Sequence, residues 1–170
     1  MLVYNFYLDL KEIHLMHVSL GESCRTKSQL LRLGLGNHPS LPFDWSVTPH
    51  RALLDILASD FSCLFREDRC DLLDYDSGFV FAHQKFSKME KARSTFFRRV
   101  ERFRALRSEH GITFVRENKI GSGGHLSELR DALSSYGFSS FNILWIEDPS
   151  VDNWRGCDRV WDERLKIQKT

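Results

Sequence analysis

The chain has little of several features that mark common protein classes. Its 170 residues include only four cysteines, which are too sparse for the disulfide framework of a small secreted domain. No two of them form a C-x-x-C pair, and the nearest two, Cys63 and Cys70, have no histidine between them. A zinc site needs tighter ligand spacing than this. We therefore predict no structural metal and no cofactor.

Long apolar runs and a strong charge of one sign are also absent. No apolar run approaches the roughly 20 residues that cross a bilayer. Asp9, Lys11 and Glu12 interrupt any apolar core near the N-terminus, so we expect no signal peptide. The formal net charge is +1, which gives the whole chain no bias toward nucleic acid or membranes. We predict a cytoplasmic protein with no membrane partner, for which nucleic acid is not the expected partner.

What is present points to one α/β domain over residues 1–170. Hydrophobic residues make up 42% and charged residues 28%, which is ordinary for a globular protein. Strand-like segments alternate with helix-like ones, a pattern typical of a mostly parallel central sheet flanked by helices in a three-layer-like arrangement. The predicted strands are 14–20, 77–83, 111–117 and 140–147. The first predicted helix begins near Arg25 and ends near Gly34 and Gly36. The others are 50–58, 90–109, one after the Gly-rich turn at 121–124, and a C-terminal one that packs Trp154 and Trp161 onto the body.

The stretch HVSLGESCRTKSQLLRLGL, residues 17 to 35, carries the main functional signal. Cys24 stands between a predicted strand and a predicted helix, where α/β sheets usually place ligands. The first-turn N–H groups and the helix dipole would stabilise a thiolate there and would also serve as oxyanion donors. Gly21 permits a tight turn, and Arg25 and Lys27 add local positive charge. The pattern predicts a reactive thiol at Cys24.

Other interpretations of this stretch stay open. Free cysteines are among the most buried residues, so Cys24 also fits a packed side chain. Ser23, in the sequence GES, fits a hydrolase serine that follows a strand. A thiol nucleophile needs a base, usually histidine. Of the seven histidines, spacing favours His83, which ends the segment GFVFAH, or His125, which follows the Gly-rich turn. Each of these two also fits a surface or capping histidine.

Five segments read together resemble a known family. They are SLGESC with its Leu-rich helix, SLPFDWSVTP, FAH ahead of FFRRVERFRAL, ITFVRE, and the C-terminal NWRGCDRVWDERL. The set is similar to the family of uncharacterised domains described as "putative papain-like cysteine peptidases", over roughly residues 17 to 165. PFDW is the most specific of these pieces.

The resemblance implies Cys24 as nucleophile and His83 as its base. Asp44 of PFDW is our candidate for the carboxylate that orients the base, and it fits a loop cap equally well. The function expected is that of a thiol-dependent hydrolase or acyl transferase acting on a peptide or acyl group. Ser23 and Arg25 flank the backbone N–H groups expected to hold the oxyanion. Arg116, at the end of a predicted strand, is a candidate for binding a substrate carboxylate.

A second functional hypothesis depends on charge. Residues 85–107 contain nine Lys or Arg against Glu90 and Glu101, a local charge of +7. Such a stripe suits a non-catalytic module that binds an anionic, phosphate-bearing partner. The same stripe also fits a solvated helix face that pairs with acidic neighbours.

Overall fold

The computed structural model describes residues 15–64, 78–81, 89–118, 125–150 and 153–166. Helices and strands alternate along most of this chain, and short 3-10 turns cover Ser62–Leu64 and Leu106–Ser108. The elements in chain order are β1 (Met16–Ser19), α1 (Cys24–Arg32), β2 (Ser46–Val47), α2 (His50–Ala58), β3 (Val80–Phe81), α3 (Met89–Ala105), β4 (Ile112–Glu117), α4 (Leu126–Ser135), β5 (Phe141–Ile146) and α5 (Asp158–Lys166).

A three-stranded parallel sheet forms the centre of the described structure. β4 is the middle strand, with β1 on one side and β5 on the other. Ser19 pairs with Val115, and Glu117 pairs with Ile146, so the carboxyl ends of all three strands lie at one edge. β2 and β3 form a separate antiparallel pair. The predicted α/β class with a mostly parallel sheet is confirmed.

Helices cover both faces of this sheet because alternate residues of each strand point to opposite sides. Phe114 of β4 joins Val18 and the buried side chains of α2, α3 and α4 in the larger core. Its neighbour Val115 packs on the other face with Leu30 of α1 and Trp161 of α5. The predicted three-layer arrangement is therefore present, and it places the N-terminus of α1 beside the carboxyl edge of the sheet.

Most predicted elements agree with the structure, and the differences have physical causes. α3 ends at Ala105 and continues as a 3-10 turn, which shortens the predicted helix 90–109. β2 lies in a segment that the sequence analysis leaves as loop, because its pairing with β3 comes from a distant part of the chain. Trp161 is fully buried as predicted, but Trp154 is 55% exposed, so its predicted packing is wrong. Among the described residues, no helix is long and apolar enough to cross a membrane.

Candidate functional site

The turn between β1 and α1 brings Cys24 to the carboxyl edge of the sheet. Gly21 and Glu22 both have left-handed backbones, with φ of 76° and 73°. Ser23 is the N-cap of α1 and Cys24 is the first residue of the helix. The Cys24 side chain is buried, with 7% of the residue exposed. The predicted place of Cys24, in a strand-to-helix turn, agrees with this geometry.

The hydroxyl group of Ser23 fixes the start of α1 because it both accepts and donates a hydrogen bond. Its Oγ accepts a hydrogen bond from the Arg25 N–H at 3.2 Å, as an N-cap does. The same hydroxyl donates to Oε2 of Glu117 at 2.5 Å. Glu117 ends β4, so this contact ties the first turn of α1 to the middle strand. Of the N–H groups expected to hold an oxyanion, that of Arg25 is already bonded to Ser23.

Arg25 joins α1 to the segment that follows β5. Its guanidinium is 2.6 Å from Oε1 of Glu117. It also donates to the backbone carbonyls of Ser150, Asn153 and Trp154, at 3.1, 2.7 and 3.2 Å. These bonds bury Arg25 against its own chain. A substrate role for Arg25 requires an exchange of such contacts, and it stays a prediction.

Arg116 forms the corresponding ion pair on the other face of the sheet. Its guanidinium contacts the Glu22 carboxylate and donates to the carbonyls of Leu20 at 2.8 Å and Thr48 at 2.9 Å. Burial lowers the pKa of Arg116 to about 10, although Glu22 and Glu117 favour the charged form. Only 1% of Arg116 is exposed, so a substrate carboxylate would have to compete with three protein acceptors. The predicted substrate role remains a prediction.

Asp44 is fully buried and holds the PFDW loop to α1. Its Oδ2 accepts from the Leu41 N–H at 3.0 Å, the loop-capping bond that the sequence analysis allows for. The same oxygen is 3.0 Å from Nζ of Lys27. Phe43 beside it packs against the rings of Phe61 and Phe103, which pins the loop to the core. Oδ1 of Asp44 is buried and has no hydrogen-bond partner among the residues that the structure describes.

Lys27 connects Asp44 to the helix that carries Cys24. Residues three apart on a helix lie on the same side, about 5–6 Å apart at their Cβ atoms. Lys27 therefore shares a side of α1 with Cys24, and its ammonium group is in contact with Asp44. The structure thus ties the loop of Asp44 to α1 through Lys27. His83, the predicted base, lies outside the described residues.

Of the other histidines, His50 and His125 meet near the same edge of the sheet. Nε2 of the buried His50 ring lies 3.2 Å from Oε2 of Glu128 and 3.4 Å from the backbone nitrogen of His125, so it either donates to the carboxylate or accepts from the N–H, depending on the tautomer. Burial lowers the pKa of His50, while its hydrogen bond to Glu128 acts in the opposite direction. His125 is the N-cap of α4, but its side chain makes no capping bond. The rings of His50 and Trp145 are edge to face at 6.0 Å.

Three residues of this region were not predicted as parts of the site: Glu22, Glu117 and Lys27. The sequence analysis treats Lys27 only as a source of local positive charge. Two sequence signals point to them. Adjacent residues of a strand project to opposite faces, so the pair Arg116–Glu117 can serve both sides of the sheet end. The three-residue spacing of Cys24 and Lys27 indicates a shared helix side. Neither signal identifies the distant partners.

Two of the arginines in the described part of α3, Arg99 and Arg104, face acidic side chains. Arg104 binds Asp60 at 2.8 Å and Glu101 at 2.5 Å. Burial lowers the pKa of Arg99, although the nearby Asp44 carboxylate acts in the opposite direction. Lys91, Arg98 and Arg102 are exposed. The described part of the basic stripe therefore contains both arginines near carboxylates and exposed cations, of which Arg102 also donates to the Ser40 carbonyl at 3.0 Å.

One groove of about 710 Å³ lies away from Cys24, between α2 and α4. Both carboxylates and guanidinium groups line it, and Asp60 and Tyr136, which hydrogen-bond each other at 2.7 Å, stand in its wall. Within the described ranges, no group of three or more His, Cys, Asp or Glu residues is placed to hold a metal ion. Neither feature adds chemistry to the Cys24 region.

A comparison with protein families gives a match over the N-terminal part of the chain. Residues 15–91 match the model of the family described as "Putative papain-like cysteine peptidase". The predicted family resemblance is confirmed over this region, which contains Cys24, Asp44 and His83. Searches of the curated proteins and of the solved structures gave no significant match.

Proposed function

We propose that the protein catalyses thiol-dependent hydrolysis or acyl transfer, with Cys24 as nucleophile, His83 as base and Asp44 as the carboxylate that orients the base. The family match supports hydrolysis at the level of the family description. The assignment to these three residues is our own. It combines the place of Cys24 at the start of α1 with the contacts of Asp44.

The observation that carries the proposal is the 3.0 Å contact between Lys27 and Asp44. It links the PFDW loop to the side of α1 on which Cys24 lies. A carboxylate held against the helix that carries the thiol is a candidate to orient the catalytic base. The Asp44 oxygen that Lys27 leaves open, Oδ1, is an acceptor for a ring N–H.

The β2–β3 pairing supports the inclusion of His83. Ser46 pairs with Phe81 in an antiparallel register. Asp44 stands two positions before Ser46, and His83 stands two positions after Phe81. Each of them is therefore within two positions along the chain of the same strand pair. This closeness along the chain favours His83 over His125 as the base that Asp44 orients.

In the proposed mechanism, His83 takes the proton of the Cys24 thiol. The thiolate attacks the carbonyl carbon of the substrate, and a tetrahedral oxyanion forms. Backbone N–H groups at the start of α1 stabilise that charge, with the Arg25 N–H contributing if it leaves Ser23. The leaving group departs with the proton held by His83, which gives a thioester. Water, or another acyl acceptor, then releases the acyl group and restores the thiol.

The test is capture of the acyl-enzyme. The protein is incubated with activated esters and thioesters of short peptides, and its intact mass is followed. We expect one acyl adduct on Cys24, lost in Cys24→Ala and kept in Cys157→Ala, a matched change at another free cysteine. An adduct that maps to Ser23, and that a serine-directed reagent blocks, would support the serine esterase interpretation instead. If none of the acyl donors gives an adduct, that result would contradict the proposal.

A second candidate function depends on the exposed cations of α3. Lys91, Arg98 and Arg102 are exposed, and a phosphate-bearing partner would be bound by such a face. Binding of this kind weakens steeply with salt, whereas thiol chemistry does not. Titration with a polyphosphate at low and high salt tests it. If the double variant Lys91→Glu/Arg98→Glu binds the polyphosphate as tightly as wild type does, this face of α3 is not the binding site.

A further inference from the structure

β5 forms an open edge of the parallel sheet. β4 pairs with it on one side, and within the described part of the chain no strand pairs with it on the other side. The opposite edge of the sheet, at β1, is partly covered, because the ring of His38 contacts the His17 carbonyl at 3.1 Å. A strand edge with unpaired N–H and C=O groups is a template for another strand. β5 is therefore the edge at which the sheet can be extended.

The direction of the β5 backbone groups follows from one hydrogen bond at the end of the strand. The Asn118 N–H donates to the Ile146 carbonyl at 2.7 Å, so Ile146 turns its backbone groups toward β4. Successive residues of a strand turn these groups to opposite sides. Phe141, Ile143 and Trp145 therefore present their N–H and C=O groups at the outer edge.

The side chains of β5 are only partly covered by the rest of the chain. All six residues of β4 are buried, whereas Ile146 is the one residue of β5 that is buried. Phe141, Ile143 and Trp145 pack against the larger core and keep part of their surface exposed. The strand has no proline and no charged residue, which are features that protect an edge from pairing. The outer edge of β5 is therefore both open to hydrogen bonding and apolar.

Opposite charges stand at the two ends of β5. Arg130 of α4 is exposed, and its guanidinium carbon lies 5.8 Å from the centre of the Phe141 ring, at the amino end of the strand. Glu147 follows the carboxyl end and is also exposed. In an antiparallel pair, the amino end of one strand meets the carboxyl end of the other. A second copy of β5 would therefore bring Arg130 of each chain toward Glu147 of the other.

We propose that β5 is the interface of a homodimer, in which a second copy of this chain adds its own β5 antiparallel across a two-fold axis. A pairing centred on Ile143 sets Phe141 of each copy opposite Trp145 of the other, and such cross-strand aromatic pairs stabilise sheets. A two-fold interface must be complementary to itself, and this charge pattern meets that condition. The dimer joins two three-stranded sheets into one continuous sheet of six strands. The proposal is independent of the chemistry at Cys24.

Sedimentation velocity of the full chain tests this association. We expect a concentration-dependent dimer between about 1 and 100 μM. Arg130→Glu and Glu147→Arg should each weaken the dimer at least about tenfold, because two-fold symmetry repeats each like-charge contact. The double variant Arg130→Glu/Glu147→Arg should restore the dimer, since the facing charges are again opposite. The control is Arg159→Glu, which changes an exposed cation of α5 that pairs with Glu163, and it should dimerise like wild type.

Ile143→Pro tests the strand pairing itself. It removes an N–H group from the outer edge and leaves the hydrogen bonds to β4, so it should abolish the dimer while the circular dichroism spectrum stays that of the folded protein. A wild type that stays monomeric at about 100 μM would overturn the proposal. A dimer that both single charge variants leave as tight as wild type would also overturn it. If Ile143→Pro does not fold, the charge variants still decide, because Arg130 and Glu147 are exposed.

Discussion

Gly21 allows a sharp test of how tightly the turn before Cys24 is built. Its φ is 76°, and a Cβ added there would lie 2.6 Å from Oγ1 and 2.9 Å from Cβ of Thr48. Gly34 provides a matched control, because it has a similar φ of 71° and nothing within 4 Å of the added Cβ. Alanine at Gly34 is therefore strained only in its backbone, whereas alanine at Gly21 also overlaps Thr48.

The expected losses of unfolding free energy follow from the backbone strain at each position and from the overlap with Thr48 at Gly21. The left-handed backbone costs alanine about 1 kcal/mol, which is the whole effect expected for Gly34→Ala. Overpacking against a buried side chain adds about 1–3 kcal/mol, so Gly21→Ala should lose about 2–4 kcal/mol. Urea denaturation of both variants measures the difference. Equal losses for the two variants, within about 0.5 kcal/mol, would refute the tight contact between residue 21 and Thr48.

Three further predictions follow from the same contacts. Arg116→Met removes the guanidinium that pairs with the buried Glu22 carboxylate and should cost about 3–5 kcal/mol, with part of this recovered when Glu22→Gln is added. Urea denaturation of the single and double variants measures these losses, and strictly additive losses would argue against the pair. Because the pKa of His50 is lowered in the folded state, its contribution to stability is fully present above the unfolded-state pKa of about 6.5 and is lost as the pH falls through the folded-state pKa. The unfolding free energies at about pH 7.5 and 5.5 should therefore differ less in His50→Gln than in wild type. An equal difference in the two proteins would contradict this. Trp161→Ala should cost about 3–5 kcal/mol because that side chain is fully buried, while Trp154→Ala, at a residue 55% exposed, should cost less than about 1 kcal/mol; similar thermal stability of the two variants would contradict the placement of these rings.

The elements of the fold could be predicted where the pattern is local. α2 begins and ends at the predicted residues, 50 and 58, because its leucines repeat at helical spacing and Pro49 precedes it. β4 and β5 are marked by runs of β-branched and aromatic residues. Trp154 was misplaced because composition alone does not reveal which residue of a turn faces solvent. Its backbone carbonyl accepts a hydrogen bond from Arg25.

The candidate site was predictable in part. The position of Cys24 follows from local sequence, since a glycine turn precedes a capped helix. The contacts around it join residues far apart in the chain, as Arg25 to Glu117 and Arg116 to Glu22 do. Such pairs depend on strand order and register, which no local pattern of charges specifies. For the same reason, the partner of Asp44 could not be read from the sequence, although Lys27 lies only 17 positions before it.

The central claim is that Cys24 is a thiolate nucleophile paired with His83. The pH dependence of Cys24 alkylation, measured in wild type, His83→Ala and the exposed control His110→Ala, tests it most directly. The account predicts that Cys24 reacts well below about pH 7 in wild type and in the control, and that His83→Ala abolishes this reactivity. A Cys24 that stays unreactive until about pH 8.5, or until the protein unfolds, would contradict it and identify Cys24 as a packed side chain.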